Sequence, residues 1–172
     1  SGFFVQVHDC GKQCVFFLDT VASPWYNALK AAQELTMDTA SKEVLIYIHD
    51  GARPCISQEI IKNCEEAALR YGACTAAVPV KDTIKVVSPE GFAVDTPDRN
   101  TLWQIQTPQV FRSDIISSAY TKMYADTDRG TITDDAMLVE RYTDVPVKMA
   151  MGAYTNIKIT TPEDMGIAAQ YL

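Results

Sequence analysis

An unbroken apolar run from Val44 to Ile48 (VLIYI) leads straight into His49-Asp50-Gly51-Ala52-Arg53-Pro54, and helix-forming sequence follows. That order constrains the chain more than any other feature. A run of strand length, apolar at every position and stopped by Gly and Pro, fits a strand covered on both faces rather than on one. Such strands belong to sheets flanked by helices.

The neighbouring segments extend the pattern. WYNALKAA, from Trp25 to Ala32, is rich in helix formers. Ser57 stands three residues before Ile60 as the expected cap of a helix running to about Tyr71. Ala73 to Val80 reads as a second apolar strand. KDTIKVV and GFAVDT flank Ser88-Pro89-Glu90-Gly91, a hairpin signal. TPQVF leads into a helix from about Ser113 to Tyr124, TDDAMLVERY supplies another, VKMAMG a strand, and Thr161-Pro162-Glu163 opens a final helix. The expected fold is α/β, a mostly parallel sheet covered by helices and interrupted by one hairpin, in a single domain over residues 1–172. FFVQV and CVFFL near the start look like short strands attached to no motif.

Asp and Glu outnumber Lys and Arg by 22 to 15, so the overall field repels polyanions and argues against nucleic acid as a partner. No apolar run approaches the roughly 18 residues of a membrane span. Cys10, Cys14, Cys55, Cys64 and Cys74 form an odd set without framework spacing, which reads as reduced thiols in a cytoplasmic protein. His8 to Cys14 offers no second ligand pair for a structural zinc.

Ligands of open α/β sheets bind at the carboxyl ends of strands, and Asp50 falls there, where a carboxylate can hold Mg²⁺ against phosphate oxygens. Arg53 in the same loop can neutralise phosphate, or pair with Asp50 in a turn closed by an internal ion pair. Both readings stay open on spacing alone. Lys158, in NIKITTPED between an apolar strand and a capped helix, either projects into the same cleft or is solvated at a strand edge. Lys81, Asp82, Thr83, Lys85 and Arg99 would be an ordinary solvated face unless a partner or substrate uses them.

Taken together, YNALKAA, VLIYIHDGARP, AAVPVKDTIKVV, TPDRNTLWQIQTPQVF, TITDDAMLVE and NIKITTPEDMGIA resemble, in order and spacing from about Tyr26 onward, the 2-C-methyl-D-erythritol 4-phosphate cytidylyltransferase family of the non-mevalonate isoprenoid pathway. The resemblance implies a Rossmann-like homodimer in which a hairpin arm, residues 81–107, completes the neighbouring active site. It implies CTP and methylerythritol phosphate as substrates and Mg²⁺ as cofactor. Asp50 would hold the metal and, with Gly51 and Arg53, the nucleotide, while Lys158 would stabilise charge at the α-phosphorus. Thr133 would contact methylerythritol phosphate from the same subunit, and Thr83, Arg99 and Thr107 from the partner's arm. His49 would pack beside the loop.

The same resemblance sets an expectation about what is missing. The family opens with a strand and a Gly-rich loop around the triphosphate, and that first βαβ unit is not found; Gly11-Lys12-Gln13 matches its end only faintly. Leu18 to Pro24 stands where a Gly-Gly pair, an arginine and a serine near the cytosine are expected. Two other readings therefore accompany the first: a ribitol 5-phosphate cytidylyltransferase, and a catalytically inactive dimerising fragment.

Overall fold

The computed structural model describes residues 44–172, together with the backbone course of 8–9, 14–15 and 17–18. The helix expected over 25–32 and the lysine of 11–13 lie outside the described residues. Strands β1 (His8–Asp9) and β2 (Cys14–Val15) pair antiparallel, and β3 (Phe17–Leu18) runs parallel to β4 (Leu45–Ile48). After β4 come α1 (Gln58–Tyr71), β5 (Ala73–Pro79), the hairpin β6 (Val86–Val87) and β7 (Ala93–Asp95), and β8 (Trp103–Arg112). Helices α2 (Ser113–Ala125) and α3 (Asp135–Tyr142), strand β9 (Lys148–Met151) and helix α4 (Pro162–Ala168) complete the order.

The main sheet runs β3-β4-β8-β5-β9, with β8 antiparallel to both neighbours and the two outer pairings parallel. Successive side chains of β4 point to opposite faces, and both faces are buried, as the continuous apolar run requires. Leu45 and Tyr47 pack with Ile60, Cys64 and Ala68 of α1. Ile46 and Ile48 pack with Ile115, Ile116 and Ala119 of α2 and Leu138 and Val139 of α3. The molecule is thus a three-layer α/β sandwich, with α1 on one face and α2 and α3 on the other.

Strand β8 is where the sequence expectation falls short, because the pattern of TPQVF marks only an approach to a helix, whereas the strand runs from Trp103 to Arg112. Its register with β5 jumps so that Gln106, Thr107 and Pro108 stand opposite the single residue Ala76. Pro108 has no N–H for the ladder, and a bulge is the place where a strand tolerates that loss. Three neighbouring polar or imino residues also erase the alternation that marks a strand in sequence. Residues 103–107, expected in the arm, therefore belong to the sheet, and the projecting hairpin is shorter.

Local signals set the element ends. Ser57 Oγ accepts from Ile60 N at 3.3 Å and caps α1. Gly72 ends the helix with φ +88°, its N–H donating to Ala68 O at 2.7 Å. A Cβ at Gly72 would lie 2.6 Å from Ile115 Cδ1, so packing and backbone demand glycine together. In the hairpin, Gly91 (φ +86°) donates to Ser88 O at 2.9 Å. Val86, Val87, Phe92 and Val94 are all exposed around that turn.

Helices α2 and α3 are joined through a buried polar pair, in which the Tyr120 hydroxyl donates to Asp135 Oδ1. Burial raises the Asp135 carboxyl to about 6 despite that hydrogen bond, and the neighbouring Asp134 and Asp50 charges push the same way. Since the folded value exceeds the unfolded one, folding favours the proton, and the contribution is lost as pH rises from about 4 through about 6. Asp135→Asn removes the titration and keeps an acceptor for Tyr120. Its stability relative to the parent, read from urea midpoints, is expected to grow by up to about 3 kcal/mol between pH 4 and pH 7; a gap that stays constant would refute the assignment. Gly72→Ala is expected to cost about 2 kcal/mol from backbone strain and the clash with Ile115, and an unchanged midpoint would contradict it.

Candidate functional site

The end of β4 delivers Asp50 to the rim of an open cleft of about 620 Å³. Asp50 and Arg53 line it together with Thr107 of the β8 bulge, Tyr120 of α2, Thr133 to Asp135 at the start of α3, and Lys158. Lys158 lies on the connection between β9 and α4, not on a strand of the ladder.

The charged groups converge on one atom. Asp50 Oδ2 is 3.1 Å from Lys158 Nζ and 3.4 Å from Arg53 Nε. Arg53 is held twice more: its N–H donates to Asp50 O at 3.0 Å, closing the turn, and its NH1 donates to Asn156 O at 2.8 Å. Ile159 N donates to Ala52 O at 2.8 Å, which ties the lysine-bearing segment to the same loop. The turn with an internal ion pair expected of HDGARP is present, and that pair lines the cleft.

Exposure separates the two cations. The Asp50 and Arg53 side chains are each 12% exposed, whereas Lys158 is 46% exposed. A pair with one half-exposed partner contributes at most about 1 kcal/mol, so the ammonium can leave the carboxylate for an incoming anion at small cost. Arg53, pinned by main-chain atoms, stays with Asp50.

Behind the carboxylate, a hydrogen-bond chain fixes the loop. Asp50 N donates to Thr107 Oγ1 at 2.9 Å, and that hydroxyl lies 2.9 Å from His49 Nδ1. His49 Nε2 lies 3.1 Å from Arg53 O, which can only accept, so the proton sits on Nε2 and Thr107 donates to Nδ1. Burial lowers the His49 pKa and keeps the ring neutral, as this pattern requires. Thr107 therefore stands within its own chain's cleft with its hydroxyl engaged, not on the projecting hairpin.

The other expected site residues divide by place. Thr133 lines the cleft, exposed, with its hydroxyl 3.4 Å from Met137 Sδ. Gly51 is exposed in the Asp50–Arg53 turn. Thr83 and Arg99 lie at the base of the hairpin, outside the cleft of their own chain, and Arg99 donates to Lys81 O at 2.9 Å.

Sequence reasoning missed Asp134, Asp135, Tyr120 and Gln109. The N-cap Asp134 accepts from Met137 N at 2.8 Å and from Gln109 Nε2 at 2.9 Å, while Gln109 Oε1 accepts from Ala136 N at 2.9 Å. The capping pattern of TDDA carried the signal for Asp134. Gln109, 2% exposed inside a strand, had no local signal.

The residues fit a magnesium ion that arrives with a polyphosphate, and do not fit a protein-made cage. Among the described residues no three His, Cys, Asp or Glu side chains cluster as a ligand set. Mg²⁺ in nucleotide enzymes commonly takes one or two carboxylates, with water and phosphate oxygens completing its shell. Asp50 at the cleft rim meets that requirement. Also among the described residues, no helix is long and apolar enough to cross a membrane.

Comparison with known proteins agrees with this geometry. A protein from Lachnospira eligens, named 2-C-methyl-D-erythritol 4-phosphate cytidylyltransferase, is 55% identical over 132 residues, covering 77% of this chain and 58% of its own length. One of the same name from Caldanaerobacter subterraneus is 50% identical, covering 74% and 55%. The chain thus spans a little over half the length of these relatives. Among solved structures, 4-diphosphocytidyl-2C-methyl-D-erythritol synthase from Anaerococcus prevotii superposes with a TM-score of 0.74 at 34% identity, covering 89% of this chain and 67% of that one. The 2-C-methyl-D-erythritol 4-phosphate cytidylyltransferase of Thermus thermophilus gives 0.67 at 28%, covering 91% and 72%. These neighbours share the Rossmann-like α/β fold. Residues 13–172 match the family described as IspD, and the chain belongs to the 2-C-methyl-D-erythritol 4-phosphate cytidylyltransferases.

Proposed function

We propose that the chain transfers CMP from CTP to 2-C-methyl-D-erythritol 4-phosphate, releasing pyrophosphate, and that it does so as a homodimer with Mg²⁺. The observation that carries this reading is the convergence of Lys158 and Arg53 on Asp50 at the mouth of the cleft. A phosphate oxygen of the acceptor attacks the α-phosphorus of CTP, the new P–O bond forms, and the bond to pyrophosphate breaks. The attacking oxygen is already anionic at neutral pH, so positioning and charge neutralisation do the work and no strong base is needed. Lys158 turns from Asp50 to the charge building at the α-phosphoryl group. Arg53 holds Asp50 in place, Gly51 gives the nucleotide close approach to the turn, and Thr133 hydrogen-bonds the acceptor. Asp50 is the residue that would hold a magnesium ion here, and the ion would supply further charge neutralisation.

The hairpin suits a dimer arm. Val86, Val87, Phe92 and Val94 leave an apolar surface in solvent that a second copy would cover. Thr83 and Arg99 at its base would then reach the cleft of the other copy. Thr107 enters this reading as the residue that orients the Asp50 loop, not as an acceptor contact from across the dimer.

Purified chain mixed with CTP, Mg²⁺ and either methylerythritol phosphate or ribitol 5-phosphate is expected to release pyrophosphate with the former alone. Release with ribitol phosphate alone would move the assignment to that substrate, and silence with both from an intact dimer would favour an inert fragment. Lys158→Ala is expected to lower turnover by about a hundredfold or more with a smaller change in KM; unchanged turnover would remove Lys158 from the mechanism.

A further inference from the structure

Asn156 is fully buried, two residues before Lys158, in a segment with no strand ladder of its own. Its Nδ2 donates to Thr107 O at 2.9 Å and to Gln106 Oε1 at 3.3 Å. Because a main-chain carbonyl only accepts, the side-chain orientation is fixed by chemistry. Its N–H donates to Ala153 O at 3.0 Å, and its own carbonyl accepts the Arg53 guanidinium at 2.8 Å. Gln106, 7% exposed, completes the arrangement by donating to Ala153 O at 2.8 Å. Space for that amide exists only because residue 152 is glycine, where a Cβ would stand 2.4 Å from Gln106 Oε1.

A buried carboxamide in this position is costly unless it specifies something. Asn156 Oδ1 has no hydrogen-bond partner among the described residues, so burying this side chain carries a penalty that an apolar residue would avoid. In return, one residue ties the β8 bulge, the Arg53 turn and the lysine segment together.

We propose that Asn156, supported by Gln106, is the positioning residue of the site: it touches no reactant and fixes where Lys158 and Arg53 meet Asp50. This rests on the transfer reading above. A positioning residue acts only through the groups it places, so its removal and the removal of Lys158 do not multiply.

In the chain assayed with CTP and methylerythritol phosphate, Asn156→Ala is expected to lower kcat about a hundredfold with little change in KM. The double variant with Lys158→Ala is expected to be slower than Lys158→Ala alone by less than about tenfold, the remainder acting through Arg53. Multiplying losses would overturn the proposal, as would an unchanged kcat. Amide exchange tests the placement without turnover, and so separates its failure from that of the transfer reading. In Asn156→Ala the Ile159 amide is expected to exchange on the order of tenfold faster while Ala76 in β5 keeps its rate. An unchanged Ile159 rate, or equal acceleration at both, would overturn it. Should Asn156→Ala fail to fold, Asn156→Asp replaces it in both measurements. That variant keeps the shape and sets a carboxylate against the Thr107 carbonyl, with the same outcomes expected.

Discussion

One carboxylate held between two cations organises this end of the molecule. Asp50 is nearly out of solvent, and a carboxylate there without partners would cost several kcal/mol. The partners come from different parts of the chain: Arg53 from the next turn, Lys158 from more than a hundred residues on. The folded sheet is what brings them together, since β4 and the segment after β9 end side by side. Arg53 supplies the permanent neutralisation because its guanidinium is also anchored to a main-chain carbonyl. Lys158, half in solvent, is only loosely committed to the carboxylate.

This division of labour gives the surrounding polar residues their part. Gln106 and Asn156 are buried and Thr107 and His49 half-buried. Gln106, Thr107 and His49 bond main-chain atoms of the loops that bear Asp50, Arg53 or Lys158, and Asn156 ties the lysine segment to β8. Positioning by buried amides and hydroxyls costs desolvation but removes the freedom that long cationic side chains would otherwise keep. On the opposite wall, Asp134 and Asp135 add negative charge, and Asp135 avoids the full penalty of burial by binding a proton more readily than an exposed carboxyl.

Where a local physical rule dictated a local structure, the sequence was readable. VLIYI announced a strand covered on both faces, Ser57 a helix cap, and Ser88 to Gly91 a hairpin turn, and each is present. Asp50 and Lys158 were legible because they follow strand-like runs. Strand β8 was not legible, since its bulge places Gln106, Thr107 and Pro108 in succession and hides the alternation. The placement of Thr107 went astray for the same reason. Asn156, Gln109 and Tyr120 carry no signature in sequence, because their roles depend on partners about 15 to 50 residues away.

The central claim is that anionic reactants gather where Asp50, Arg53 and Lys158 converge. A crystal structure of the chain with Mg²⁺ and 4-diphosphocytidyl-2-C-methyl-D-erythritol, the product of the proposed transfer, tests it most directly. The account requires the diphosphate in the cleft with an oxygen in hydrogen-bond reach of Lys158 Nζ and the metal on Asp50. A diphosphate bound elsewhere, with Lys158 still paired to Asp50, would contradict it.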